Sequence, residues 1–305
     1  MNYNLITILG PTAVGKTRLA AQLAFHFNGE IISADSRQVY KYLDIGTGKD
    51  FSDYIVEGKQ INHYLIDVIE LPDEFNLFDF YKNFFKYYHQ ITERSKQPFL
   101  VGGTGLYLSS IVQNYDLKET ENESELIETF QSKSFDELKK IYLELNPNPH
   151  NITDFATKER IIQAIIVAKA QKPVEDKIHI NSLNIGVNPG RDVVKKRIKE
   201  RLERRLNEGM IQEVESLLNK NISSERLIRL GLEYKFITEY LTGEISFDKM
   251  KEDLYKAICA FAKRQMTWFR KMEREGVKIF WLTEPDFESA KKIIEKEYVF
   301  PHRAS

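Results

Sequence analysis

The sequence predicts an α/β protein in three layers, with a parallel sheet between helices and an all-helical subdomain inserted into the core. Three observations predict this. A short apolar run, Leu5 to Leu9, leads straight into a glycine-rich loop and an amphipathic helix. Strand-like and helix-like segments alternate over roughly the first hundred residues, as parallel β-α-β units require. Between about residue 116 and residue 182 only helical periodicity remains. The expected division is therefore residues 1–115 with 183–305 as the core and residues 116–182 as the insertion.

The elements follow in order. Leu5 to Leu9 is expected to be a buried parallel strand ending at Gly10. Arg18 to Phe27 carries Leu19, Leu23 and Phe27 on one side with small Ala20, Ala21 and Ala24 between them, a helix packed closely on a sheet. Glu30 to Ala34, Tyr64 to Ile69 and Pro98 to Val101 are the next strand candidates, and the aromatic-rich Phe78 to Glu93 has helical spacing. In the insertion, Leu126, Ile127 and Phe130 share one helix face, and Leu138, Ile141, Tyr142 and Leu145 share another. Polar joints with Pro147 and Pro149 lead to a third helix, Ile161 to Lys169. Asn184 to Val187 reads as a strand returning to the sheet. Long helices are expected over Asp192 to Asn219 and Ser246 to Glu275, then a strand Val277 to Leu282 and a helix Glu288 to Glu295.

Composition narrows the function. Of 305 residues, 42% are hydrophobic and 29% charged, an ordinary globular mix with a formal net charge of −1. No global field draws the chain to nucleic acid, so RNA contact must come from local basic patches. The single cysteine, Cys259, excludes an intramolecular disulfide and a thiolate zinc site, and its apolar neighbours suggest a buried, inert thiol. No apolar run approaches the ~20 residues that span a bilayer, and the chain reaches its first strand at once. A cytoplasmic protein with no membrane association is expected.

Gly10-Pro11-Thr12-Ala13-Val14-Gly15-Lys16-Thr17 fits the phosphate-binding pattern G-x-x-x-x-G-K-[ST] in full, between the strand and helix it requires. The glycines let backbone N–H groups turn inward as an anion cradle, and the helix N-terminus adds a favourable dipole. Lys16 brings a positive charge, and the Thr17 hydroxyl is the expected Mg²⁺ ligand. The fold class becomes a P-loop NTPase-like core. The loop by itself says that a polyphosphate binds; it does not separate ATPase, kinase and transferase.

Further motifs do. Asp35-Ser36-Arg37-Gln38-Val39-Tyr40 follows the second strand, and Leu43-Asp44-Ile45-Gly46-Thr47-Gly48-Lys49 comes next. His63 to Asp67, Val101-Gly102-Gly103-Thr104-Gly105-Leu106-Tyr107, Arg191, Arg197 to Arg201, Gly209-Met210 and Ala262 to Arg270 continue the pattern. Together these segments resemble the tRNA dimethylallyltransferase (isopentenyltransferase) family over the whole core, most weakly in the insertion. The resemblance implies transfer of a dimethylallyl group from dimethylallyl diphosphate to the exocyclic amine of the adenosine immediately 3′ of the anticodon. It implies Asp35 as general base, with Thr104 and Arg201 as the other catalytic residues. Gly10 to Thr17 would hold the diphosphate. Contacts to the tRNA anticodon stem-loop would come from Asp35, Ser36, Arg37, Gln38, Thr104, Arg160, Gln163, Lys263 and Arg264. A monomer suffices for this fit.

Bland readings stand beside these. Asp35 could cap a turn, Thr104 could close a strand-end turn, and Arg201 lies in a charge run with Arg197, Arg204 and Arg205 that could be a solvated face. Trp268 and Phe269 could be core packing, and the cluster Lys263, Arg264, Arg270 and Lys271 a solvated helix face. The sequence departs from the family pattern in three places. Where Q-R-L-x-R is usual in the insertion it reads Glu159-Arg160-Ile161-Ile162-Gln163; Glu121 to Glu128 is acidic; and Gly231-Leu232-Glu233-Tyr234 replaces Gly-Tyr-Lys-Glu. An adenylate isopentenyltransferase acting on a free nucleotide, a P-loop kinase and a non-catalytic RNA-binding protein are the alternatives.

Overall fold

A computed structural model describes residues 3–119, 123–147, 155, 157–170, 172–174 and 176–298. Glu121 and Pro149 lie outside the described residues. In chain order the elements are β1 (Leu5–Leu9), α1 (Lys16–His26), β2 (Gly29–Ala34), a 3-10 turn (Phe51–Tyr54), β3 (Ile55–Val56), β4 (Lys59–Gln60), β5 (His63–Tyr64), α2 (Leu77–Glu93), β6 (Gln97–Gly102) and α3 (Gly105–Val112). Then come β7 (Lys118–Glu119), α4 (Glu123–Gln131), α5 (Phe135–Leu145), α6 (Lys158–Lys169) and β8 (Lys172–Pro173). The chain finishes with β9 (Ser182–Val187), α7 (Arg191–Asn207), α8 (Met210–Asn219), α9 (Ser224–Leu230), α10 (Leu232–Leu241), α11 (Phe247–Arg274), β10 (Ile279–Leu282) and α12 (Phe287–Glu297).

Two compact units result, one from residues 1–114 with 178–305 and one from Tyr115–Lys177. In the first, six strands form a sheet in the order β10-β9-β1-β6-β2-β5, every neighbouring pair parallel. All residues of β1, β2 and β6 are buried, which is why these strands read as continuous rather than alternating apolar runs. β1 is central, and the chain skips β6 in passing from β1 to β2, so a crevice opens beyond the carboxyl ends of these strands. Helices α1 and α12 pack together against the sheet; α2, α3, α11 and α7 form a second contiguous layer. Helix α2 begins with a reciprocal cap, in which the Asn76 side chain accepts from Asp79 N and the Asp79 carboxylate accepts from Asn76 N.

The second unit packs α4, α5 and α6 around Phe130, Leu138, Tyr142, Ile161, Ile162, Ile165 and Ile166, and β7 and β8 pair antiparallel. Ile178 to Asn181 run with the first unit. There the Asn114 side chain accepts from Ile180 N at 2.7 Å and donates to Ile180 O at 2.8 Å.

Several expected elements change. Of the strand expected over Tyr64 to Ile69, only His63–Tyr64 pairs with β2; Leu65 and Asp67 take left-handed φ values of 64° and 56°. That turn carries the Asp67 carboxylate onto the buried Lys49 ammonium. The helix expected over Asp192 to Asn219 is broken by Gly209, at φ 104°, into α7 and α8. Helices α3, α9 and α10 were not expected. Cys259 is half-buried rather than buried. Trp268 and Phe269 follow the packing reading: Phe269 is fully buried, and the Trp268 indole donates to Ser109 Oγ at 2.6 Å.

Candidate active site

The anion cradle is set by three backbone positions. Gly10 has φ 157°, and a Cβ there would stand 2.6 Å from the Val187 carbonyl oxygen of the neighbouring strand, so only glycine lets β1 leave the sheet at this point. Gly15 at φ 79° and Ala13 at φ 64° turn the loop back on itself. Helix α1 then starts at Lys16 with no side-chain cap and no acidic residue in its first turn. Its first N–H groups and its dipole are left for an anion. The Lys16 ammonium donates to Pro11 O at 3.2 Å across the loop. Burial lowers its pKa to about 8, with Asp35 pulling upward and Arg201 downward. The cradle lines a cavity of about 380 Å³ together with Thr17, Asp35, Gln38, Asp53 and Arg201.

Asp35 follows the last residue of β2, where the turn reading holds and the residue also lines the cavity. Its Oδ1 accepts from Arg37 N at 2.9 Å and Gln38 N at 3.4 Å, a side-chain turn that fixes the carboxylate at the strand end. Its Oδ2 has no hydrogen-bond partner among the described residues. Thr104 ties this turn to the neighbouring strand end: Ser36 N donates to Thr104 Oγ1 at 3.1 Å, and Thr104 N donates to Ala34 O at 3.2 Å. The close approach leaves no space for a side chain at Gly102, where a Cβ would be 2.2 Å from Ala34 O.

On the other side of Asp35 lies a second cavity of about 380 Å³. Asp35, Thr12, Thr47 and Arg201 line both cavities and form the partition between them. Ser36, Arg37, Thr104, Glu233, Phe261 and Arg264 line only the second. Arg201 is not a solvated residue of its charge run: its guanidinium donates to Thr12 Oγ1, and burial and neighbouring Arg205 lower its pKa to about 9, still protonated at neutral pH. Burial pushes the Glu233 carboxyl up, against the opposing pull of Arg205 and Arg201.

The expected residues thus divide. Thr12 to Thr17, Asp35 and Arg201 line the cradle cavity, Thr12, Asp35 and Arg201 also line the second, and Thr104 lines only the second. Gln38 lies on the cradle side, and its amide is already engaged, donating to Gly48 O at 3.0 Å and Thr47 O at 3.4 Å. Lys263 and Arg264, adjacent on α11, line different cavities. Arg160 and Gln163 are exposed on α6, in the other unit.

Other residues had no role in the sequence reading. Gln265, buried on α11, accepts from Thr12 N at 2.9 Å and donates to Gly103 O at 2.8 Å, tying the cradle to the β6 turn. Glu213 accepts three consecutive backbone N–H groups, from Asp44 at 2.8 Å, Ile45 at 2.7 Å and Gly46 at 3.0 Å, and the Tyr234 hydroxyl at 2.8 Å. It thereby holds the loop that carries Thr47. Gly48 of that loop, at φ 72°, lies against the buried Arg205 guanidinium, where a Cβ would overlap Nη2 at 1.7 Å. A lone Glu one turn after Gly209-Met210 gives no signal in sequence, and Gln265, inside the Ala262 to Arg270 segment, has no local chemical reason to stand out.

A phosphate cradle at the switch point of a parallel sheet, with a carboxylate and a half-buried arginine between it and a second hollow, defines a P-loop group-transfer enzyme. The sequence matches the IPP transferase family over residues 38–272 and the isopentenyl transferase family over residues 3–68. The chain belongs to the IPP transferase family. It is 47% identical over 285 residues to tRNA dimethylallyltransferase 1 of Azobacteroides pseudotrichonymphae, covering 92% of this chain and 93% of that one. It is 48% identical over 282 residues to tRNA dimethylallyltransferase 2 of Porphyromonas gingivalis, covering 91% and 93%. The tRNA isopentenylpyrophosphate transferase of Bacillus halodurans superposes with a TM-score of 0.67 at 31% identity, covering 97% of this chain and 94% of that one. A eukaryotic dimethylallyltransferase shares the fold at a TM-score of 0.75 and 22% identity, over 99% and 82% of the two chains.

Proposed function

We infer that this enzyme transfers a dimethylallyl group from dimethylallyl diphosphate to the exocyclic amine of the adenosine immediately 3′ of the anticodon in tRNA. The observation that carries this reading is the partition: one carboxylate and one half-buried guanidinium line both a phosphate cradle and a separate hollow. The diphosphate lies in the Gly10 to Thr17 cradle, and the extruded adenine enters the second cavity beside Ser36, Arg37 and Thr104. The amine attacks the allylic carbon as the carbon–oxygen bond to the diphosphate breaks. Negative charge grows on the leaving group, where the cradle N–H groups, Lys16 and Arg201 receive it. The amine proton passes to Asp35, whose Oδ2 is free to accept it.

Mg²⁺ fits the cradle side. Among the described residues no cluster of three or more His, Cys, Asp or Glu could cage a metal, yet the Thr17 hydroxyl and Asp53 line the cavity where a diphosphate would supply the remaining oxygens. That donor set suits an ion that keeps waters and substrate oxygens as ligands. When bound there it would neutralise diphosphate charge.

No helix among the described residues is long and apolar enough to cross a membrane; with tRNA as substrate, we place the enzyme in the cytoplasm. The test is incubation with labelled dimethylallyl diphosphate and unmodified tRNA, with AMP in a parallel arm. Label should enter tRNA and not AMP, and Asp35→Ala should lower kcat by ~10²–10⁴-fold. Label in AMP alone would reassign the substrate; equal rates in the variant would remove Asp35 from proton transfer.

A further inference from the structure

A third hollow, of about 720 Å³, opens between α7 and α11. Its volume lies in the range of small-molecule and nucleotide sites. The floor is apolar, made by Val194 and Ile198 of α7 with Ala262 and Met266 of α11, and Tyr255 and Cys259 stand beside it. The rim is cationic: Arg191 and Lys195 on one helix, Lys263 and Arg270 on the other. No carboxylate lines it, and none of these four cations is in an ion pair among the described residues. Lys256, also at the rim, is the exception, paired with Glu252. Arg191 and Lys195 occupy the first turns of α7, where the helix dipole disfavours positive charge. The rim thus carries positive charge that no carboxylate of its own lining neutralises.

The pattern of charge indicates what kind. Arg191 and Lys195 are one turn apart, and Lys263 and Arg270 two turns, so the cations run as two rows ~6 and ~10 Å long at 1.5 Å per residue. Rows of that length follow a chain of phosphates better than they converge on a single diphosphate. An apolar floor between them suits the face of an unstacked base. The position fits as well. Helix α11 separates this hollow from the second cavity: Phe261 and Arg264 face the adenine side, while Cys259, Lys263 and Met266 face the hollow. Pro11 of the cradle closes its inner wall.

We propose that the hollow is a second nucleotide subsite for the tRNA anticodon loop. A nucleotide next to the modified adenosine crosses α11 and lays its base on the Ala262–Met266 floor. The flanking phosphates engage Arg191, Lys195, Lys263 and Arg270. This extends the RNA contact expected of Lys263 to a built pocket and to three cations without an assigned role, and it rests on the tRNA-modifying reading above.

Cys259, the only cysteine in the chain, reports on the hollow directly. Its alkylation by N-ethylmaleimide should slow at least ~10-fold when unmodified tRNA is saturating and stay unchanged with dimethylallyl diphosphate alone. Enzyme already carrying the maleimide adduct should show a raised KM for tRNA and an unchanged KM for dimethylallyl diphosphate, with Cys259→Ser as the unreactive control. Lys195→Glu/Arg270→Glu should raise the tRNA KM at least ~10-fold, leave kcat at saturating tRNA intact, and flatten the log–log salt dependence by about 1.4, two single-strand phosphate contacts. An unchanged alkylation rate with a tRNA that is being prenylated in the same tube would overturn the subsite and leave the function standing. Protection by dimethylallyl diphosphate alone would reassign the hollow to a small anion. Failure of the unaltered enzyme both to bind and to prenylate tRNA would remove the reading beneath it.

Discussion

The two cavities that meet at Asp35 are built in opposite ways. The cradle is eight consecutive residues whose shape follows from the φ values of Gly10, Ala13 and Gly15. The second cavity draws residues from positions as far apart as Thr12, Thr104, Arg201 and Arg264, and depends on side chains that bridge separate segments. Glu213 holds the Asp44–Gly46 backbone, Thr104 joins the ends of β2 and β6, and Gln265 joins the cradle to Gly103. One region is a local conformation; the other is a registration of parts. Damage to the first should appear in diphosphate handling, and damage to the second in RNA handling.

The largest effect should come where the two regions share a residue. Arg201→Ala removes the donor proposed to stabilise the leaving group and should lower kcat by ~10²–10³-fold, seen in single-turnover transfer; a smaller loss confined to KM would make the guanidinium only a wall. Next is Glu213→Ala, which strips a charged acceptor from three backbone N–H groups. It should cost ~2 kcal/mol in denaturant unfolding and raise the tRNA KM more than the dimethylallyl diphosphate KM. Equal rises in both would show that the loop serves the cradle as well.

Gln265→Ala should cost ~1–3 kcal/mol and, unlike the Glu213 variant, raise both KM values, because this amide spans the two regions. The smallest effect is in pH. Free Lys16 loses its proton as pH rises through about 8, well below its ordinary value, so the KM for dimethylallyl diphosphate should climb by a few-fold between pH 7.5 and about 9. Lys16→Arg should flatten that climb. Stability of the ligand-free enzyme should move the other way. Between about 8 and 10.5 the unfolded lysine holds its proton while the folded one does not, so this group adds stability as pH rises through that window.

What could be read from the sequence follows the same division. The cradle, its strand and its helix were legible because glycine spacing and apolar runs act over neighbouring residues. Asp35, Thr104 and Arg201 became legible only through resemblance, since an aspartate after a strand or an arginine in a charged helix has an equally good local explanation. Glu213 and Gln265 were silent because their backbone partners lie 162 to 253 positions away. The strand expected over Tyr64 to Ile69 failed for a related reason: its apolar pattern is sound, but Lys49 needs the Asp67 carboxylate, and the chain turns through left-handed residues to deliver it. The break at Gly209 does have a local signal, glycine being the usual residue where a helix ends.

The tethering of Asp35 by a single oxygen has a practical consequence. In an Asp35→Asn enzyme the amide oxygen can still accept from Arg37 N and Gln38 N, so the side chain keeps its orientation. Its other end then presents hydrogens in place of a lone pair. Such a protein should assemble with both substrates and stall, which makes it the form in which to capture the complete ternary assembly for crystallography.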